Sequence, residues 1–337
     1  MRARHVFGAL ARRTGGRVIS AHGRRGEPAL AAAILTTSRA WRRPMRLAST
    51  QLLPERAFFA VRGPVEPAVL DLHDHPRLQA EALGVQLGPG AARSADRLVG
   101  ANVDRFSWLA VPSAPFADLC RLPADRVIVV PNGADTEWIV PRPPPAEPVV
   151  AMISGAARGR GIEDLVDAVR RVRVDVPEAT LRLALAATGP ASAAYLRELE
   201  ASLRADHDWV GLERVENRDL PTFLGAAAVL AVPHPAGAYY DVSTPVKLFD
   251  SMAAGRPVVV TPRLETRAIV EGAQAGIVAT SDGPDELATA ILTLLRSSEL
   301  RRELGENARR AAVERYDWRI LSGQLADAVL GPQNASR

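Results

Sequence analysis

The stretch Ser243-Thr244-Pro245-Val246-Lys247-Leu248-Phe249-Asp250-Ser251-Met252-Ala253-Ala254-Gly255-Arg256-Pro257-Val258-Val259 joins a helix to a strand. Ser243 or Thr244 is the expected N-cap, Pro245 the first helical residue, and Val246, Leu248, Phe249, Met252 and Ala253 give an apolar stripe at helical spacing. Gly255-Arg256-Pro257 closes the helix and opens a strand. The lysine is the only one in the chain, although Lys and Arg together number 42. A compact ammonium in the first turn opposes the helix dipole by roughly 0.3–1 kcal/mol unless an anion sits at the free N–H groups. Asp250 shares the helix face, but Lys before acid is the weaker order for a helical ion pair, so phosphate explains Lys247 better than a structural salt bridge.

Working outward, the C-terminal half alternates short apolar runs with helical patterns, the mark of a parallel sheet flanked by helices. Strands are expected at 149–153, 181–186, 209–212, 229–232, 257–261 and 276–279, with helices at 162–172, 193–204, 220–226, 246–253, 265–271 and 285–295. The regularity is that of a Rossmann-like domain. The N-terminal half is less regular, with strands expected at 17–20, 57–61, 68–72, 97–100, 108–111 and 127–130. Pro141-Arg142-Pro143-Pro144-Pro145 and Pro148 can continue neither a helix nor a central strand and read as a linker. The boundary is placed there, giving domains 1–140 and 141–317. The chain opens in an amphipathic helix (Ala3, Val6, Phe7, Leu10) rather than a strand. Either the start codon is assigned too far downstream or the first domain lacks its first strand.

At 337 residues, 47% hydrophobic and 24% charged, the chain is long enough for two cores and excludes fibrous or wholly disordered classes. The pI of about 9.8 suggests nucleic acid, but the net charge is only +4 and no basic stripe with interleaved aromatics appears, so nucleic acid is not expected as a partner. Seven arginines precede the first acid, Glu27. That face suits peripheral contact with anionic membrane, or imitates a transit peptide, or is simply solvated. One cysteine, Cys120, excludes an intramolecular disulfide and fits a reducing cytosol, and no apolar run approaches the ~18 to 20 residues of a membrane span. A cytoplasmic protein, possible at the inner membrane face, is expected.

Three segments carry a resemblance: Val130-Pro131-Asn132-Gly133-Ala134-Asp135, Gly155-Ala156-Ala157-Arg158-Gly159-Arg160-Gly161-Ile162, and the run from Thr244 to Val259. Their order and spacing, from Trp108 to Trp318, resemble retaining glycosyltransferases of the GT-B fold, in the large family 4 of nucleotide-sugar-dependent enzymes. The resemblance implies an α/β chain of two Rossmann-like domains facing an interdomain cleft, a C-terminal helix of about 318–337 crossing back to the first domain, and transfer of a hexosyl-type sugar. It implies a nucleoside diphosphate sugar as co-substrate, no further cofactor and no metal, and a glycan, lipid or small-molecule acceptor. Lys247 and the backbone around Ser243 and Thr244 would hold the donor diphosphate. Arg158 and Arg160 lie in a glycine-interrupted loop between strand and helix and would supply a second cation, Ala156 standing where an arginine is common. Asp250 takes the place of the glutamate that holds the ribose hydroxyls. Eight positions earlier the family often has another glutamate; here Val242 stands, beside Asp241.

In the N-terminal half, Asp71-Leu72-His73-Asp74-His75 ends an expected strand, and His73 matches the family's histidine near the donor sugar, with Asp71 or Asp74 orienting its ring. The same pattern suits a metal-ligand set or a hydrogen-bonded strand end, although no second ligand cluster accompanies it. Asn132-Gly133 is a turn signal that brings backbone to the donor cleft, Gly133 permitting positive φ. Residues 213–215 match the family's base-contacting loop in position only. A nucleotide-sugar epimerase of the same architecture and a non-catalytic GT-B binding module are the rival readings.

Overall fold

The computed structural model describes residues 5–15, 45–49, 52–53, 65–206 and 208–331. Packing divides the chain into one unit of residues 1–81, 86–131 and 318–337, and a second of 82–85 and 132–317.

The first unit is built on a parallel sheet of β1 (Met45–Ser49), β2 (Val65–Asp71), β3 (Trp108–Val111) and β4 (Val127–Val129), paired in that order. Its helices are α1 (Gly8–Thr14), α2 (Pro76–Ala82), α3 (Pro89–Val103) and α4 (Ala114–Leu119). The expected strand at 97–100 is instead the middle of α3. Val99, Asn102 and Val103 are buried at helical spacing, so the 3.6-residue period overrides a short β-like run. Asn102 then serves the core, its amide donating to Leu98 O and Leu53 O while accepting from Leu53 N at 2.8 Å. The strands expected at 17–20 and 57–61 lie outside the described residues.

The C-terminal helix α13 (Trp318–Leu330) completes this unit. Trp318, Leu321, Leu325 and Ala326 bury against Phe7 and Leu10 at the N-terminus and against Val69 and Ala110 of the sheet. His5 stacks on the Trp318 indole at 5.6 Å.

The second unit alternates strands and helices: β5 (Val149–Gly155), α5 (Ile162–Asp175), β6 (Thr180–Ala186), α6 (Pro190–Ser202), β7 (Val210–Glu213), α7 (Leu220–Gly225), β8 (Val229–Val232), α8 (Ala238–Val242), α9 (Val246–Ala253), β9 (Val258–Val260), α10 (Leu264–Ala273), β10 (Gly276–Val278), α11 (Pro284–Arg296) and α12 (Ser298–Arg315). All six strands are parallel, in the order β10-β9-β8-β5-β6-β7. Numbered within the unit this is 3-2-1-4-5-6, the dinucleotide-binding order, with its reversal between β5 and β8. Side chains of β5 alternate between two cores. Val150 and Met152 pack with Leu165, Val169, Ile291 and Leu294, whereas Ala151 joins Leu248, Phe249, Met252, Val270 and Ala312 on the other face.

Packing separates the units at Pro131/Asn132, ahead of the proline run that suggests a linker. The run is held on the second unit because its irregular backbone needs donors. Arg256, buried, supplies them to Arg142 O, Pro143 O and Gly225 O, and Arg309 does the same for Thr136 O, Ile139 O and Ala253 O.

Candidate functional site

In an open parallel sheet, the loops leaving the carboxyl ends of the two strands at the order reversal splay apart and leave a crevice. Here those loops follow β5 and β8. The first, Gly155 to Gly161, turns into α5 through two residues of positive φ, Gly159 and Gly161, both at 71°. A Cβ on Gly161 would stand 1.8 Å from Pro233 O, so only glycine lets this loop lie against the loop after β8. Gly133, which permits positive φ, is not among the residues that adopt it; the next residue, Ala134, forms a bridge with Asp317.

The two arginines of the first loop part company. Arg158 is two-thirds exposed, donates to Glu198 at 2.5 Å and lies over the Tyr195 ring at 5.4 Å. Arg160 is half-buried over the Tyr240 ring at 5.8 Å. Its Nε is buried and finds no hydrogen-bond partner among the described residues.

Lys247 lies in the first turn of α9, as expected, but the cap differs. Pro245 is the N-cap and no side chain caps the helix. The two hydroxyls expected to do so are otherwise engaged. Thr244 Oγ1 accepts from Asn132 N at 3.2 Å and Thr244 O from the Asn132 amide at 2.5 Å, while Ser243 donates to Tyr240 O. Asn132 is thereby tied to the residue three before Lys247. The first-turn N–H groups are left without a side-chain cap, which is the condition for binding an anion there. Lys247 makes no ion pair among the described residues. Asp250, one turn further on, is 6% exposed; burial pushes its carboxyl up to about 6 against the pull of Lys247.

Around these lie residues that sequence reasoning passed over. His234 follows β8, is buried, and stacks on Tyr240 at 4.5 Å. Burial, reinforced by the charges of Arg160 and Arg263, pushes its pKa down to about 3, so the ring is neutral at ordinary pH. The Tyr240 hydroxyl donates to Gly159 O at 2.8 Å. Arg263, also buried, binds Asp241 at 3.3 Å and Asp282 at 2.5 Å, and Val242 is buried. Val242 carries no carboxylate, and that of Asp241 is paired with Arg263. Glu213, in the loop expected by position to meet a base, pairs with Arg182 on the neighbouring strand at 2.5 and 2.7 Å.

His73 stands in the first unit just beyond β2. Its Nδ1 is 3.3 Å from the buried Asp71 and its Nε2 3.7 Å from Asp74, so both acids flank the ring. Cys120 is half-buried, and burial pushes its thiol up to about 11. Among the described residues, no group of three or more His, Cys, Asp or Glu is arranged to hold a metal ion. No described helix is long and apolar enough to cross a membrane.

Residues 147–297 match the protein family described as glycosyl transferases group 1. The chain is 30% identical over 223 residues to MMP alpha-(1->4)-mannosyltransferase of Mycolicibacterium hassiacum, covering 64% of this chain and 52% of that protein. It is 27% identical over 248 residues to alpha-maltose-1-phosphate synthase of Mycolicibacterium smegmatis, covering 65% and 61%. The chain thus spans just over half to three-fifths of the length of these curated relatives. In structure it resembles Anabaena HepE in complex with UDP-glucose, with TM-score 0.71, 21% identity and coverage of 96% of this chain and 88% of that one. It also resembles sucrose-phosphate synthase from Thermosynechococcus elongatus, with TM-score 0.72, 17% identity and coverage of 90% and 77%. With two α/β units each built on a parallel sheet, a 3-2-1-4-5-6 order in the second and these likenesses, the chain has a GT-B-like fold, and residues 147–297 of its second unit are similar to the glycosyl transferases group 1 family.

Proposed function

We propose that the protein is a retaining glycosyltransferase of family 4 that moves a sugar from a nucleoside diphosphate donor to a hydroxyl acceptor. The observation that carries this reading is that two cations without an ion pair among the described residues, Lys247 and Arg160, lie on a helix start and a loop near the order reversal of the second sheet. The donor diphosphate sits there. Lys247, Arg160 and the uncapped N-terminus of α9 hold the charge that develops as the glycosidic bond to phosphate breaks, an electrostatic preorganisation that needs no carboxylate pair. Asp250 accepts the ribose hydroxyls; its side chain is buried with no hydrogen-bond donor among the described residues, and a carboxylate suits a diol. Asn132 and Gly133 close the site through Thr244, and Ser243 lines its edge. Arg158, committed to Glu198, plays a lesser part than Arg160.

The names of the relatives support this class: an MMP alpha-(1->4)-mannosyltransferase, an alpha-maltose-1-phosphate synthase, and a structural neighbour in complex with UDP-glucose. Another relative is named as GDP-mannose-dependent, so the base is tested with both UDP and GDP. On the same reading the first unit binds the acceptor, and His73, flanked by Asp71 and Asp74, is its candidate sugar-contacting residue. The experiment is calorimetric titration of UDP and GDP into wild type and Lys247→Ala, followed by donor hydrolysis and transfer assays with UDP- and GDP-sugars. Binding that the substitution abolishes supports the donor site; wild type binding neither nucleotide refutes it.

A second reading is favoured by one observation, that Val242 is buried and Asp241 is held by Arg263. On it the unit binds a nucleotide sugar without transferring it. Tight diphosphate binding with no turnover of any donor, against a panel of glycan, lipid and small-molecule acceptors, selects that reading.

A further inference from the structure

Arg160 reaches the crevice from a loop rather than a helix, and a loop cation acts on phosphate only if something holds the loop still. The structure supplies three restraints, all within the second unit. The Tyr240 hydroxyl donates to Gly159 O at 2.8 Å, the peptide immediately before Arg160. The Tyr240 ring lies under the Arg160 guanidinium at 5.8 Å and is itself backed by the His234 ring at 4.5 Å, 28° from parallel. His234 is fixed in turn, because its carbonyl accepts from Thr261 Oγ1 and its neighbour Pro233 abuts Gly161 at the far end of the same loop.

Each contact has a chemical direction. Burial holds the Tyr240 hydroxyl protonated, so it remains a donor to Gly159 O. The neutral His234 ring adds no charge beneath Tyr240, which leaves the phenol face to the guanidinium. Arg160 makes no ion pair among the described residues, and its buried Nε finds no hydrogen-bond partner there. The aromatic ring and the carbonyl anchor are the contacts that set its direction.

We propose that Tyr240, backed by His234, is a positioning residue that aims Arg160 at the diphosphate and so sets the preference of the site for diphosphates over monophosphates. This rests on the donor-site reading and goes beyond it, because Tyr240 touches the loop and not the nucleotide.

The test is a double-mutant cycle with Tyr240→Phe and Arg160→Ala, read as calorimetric affinities for UDP, UMP, GDP and GMP. Tyr240→Phe keeps the ring and the fold and deletes one hydrogen bond. Its expected effect is a diphosphate affinity about three- to tenfold weaker, with monophosphate affinity unchanged. In the Arg160→Ala background the same substitution has no further effect. Amide exchange gives a readout free of any ligand: the amides of 156–161 exchange faster in Tyr240→Phe while those of β5 do not. Diphosphate and monophosphate affinities falling together, additive effects in the cycle, or unchanged exchange in the loop would each overturn the proposal. Wild type binding no nucleoside diphosphate is a different result and overturns the donor site itself.

Discussion

Asp250 offers the sharpest single test, because burial without a hydrogen-bond partner among the described residues leaves a signature in stability as well as in binding. Its carboxyl is 6% exposed and is pushed from the ordinary aspartate value of 3.8 up to about 6, burial outweighing the attraction of Lys247. The sign follows from proton linkage. Below pH 4 the group is protonated in folded and unfolded chains alike and has no effect. As pH rises toward 6 the unfolded chain releases the proton and the folded one keeps it, so stability is lost, and above 6 the loss is complete. A difference of about two units at 1.36 kcal/mol each makes this about 3 kcal/mol at pH 7 and above. Asp250→Asn mimics the protonated acid and escapes the loss. In urea unfolding without ligand, Asp250→Asn is expected to be more stable than wild type by up to about 3 kcal/mol at pH 8, and the difference to vanish near pH 4. The same variant is expected to bind UDP or GDP more weakly, since a carboxylate that accepts two diol hydroxyls is replaced by an amide. Wild type at least as stable as the variant at pH 8, with no pH dependence in the difference, would refute the reasoning by showing that the carboxylate is satisfied without a ligand.

The remaining predictions follow from single contacts. Arg158→Ala should leave nucleotide affinity within about a factor of two of wild type in the same titration, because that guanidinium is exposed and spent on Glu198. Gly161→Ala places a Cβ 1.8 Å from Pro233 O at a φ of 71°, so a melting curve should show a loss of about 3 kcal/mol or more, with the loop after β5 displaced. Arg256→Ala removes the donor to three carbonyls of the linker and α7, and denaturant unfolding should record a loss of about 2–4 kcal/mol with nucleotide affinity retained.

The second unit was legible in the sequence because its signals are local and repeat. Each buried parallel strand is a short apolar run, and the helices 162–175 and 246–253 carry an amphipathic stripe, the second opened by Pro245. Local signals are also where the first unit misled: Arg97-Leu98-Val99-Gly100 is β-like by itself, yet Asn102, whose hydrogen bonds with Leu53 need a partner 49 residues away, makes sense only in a helix whose face is buried. The same limit explains the candidate site. Lys247 and Asp250 could be picked out since both sit on one marked helix. His234 and Tyr240 could not, because their interest depends on β8 pairing with β5, and pairing order is a long-range property that leaves no trace in a single strand. Once β8 is known to flank the reversal, the residues just after it become the natural ones to inspect, and Val232-Pro233-His234 then carries as much information as the glycine loop it touches. Arg158 and Arg160 make the complementary point. They are alike in sequence and two residues apart, and what separates them is which aromatic ring and which acid the fold puts beside each: Tyr195 and Glu198 for one, Tyr240 and no paired acid among the described residues for the other. A cation already neutralised by a carboxylate has little left to offer a phosphate, so the choice between the two arginines is made by tertiary neighbours and not by the motif.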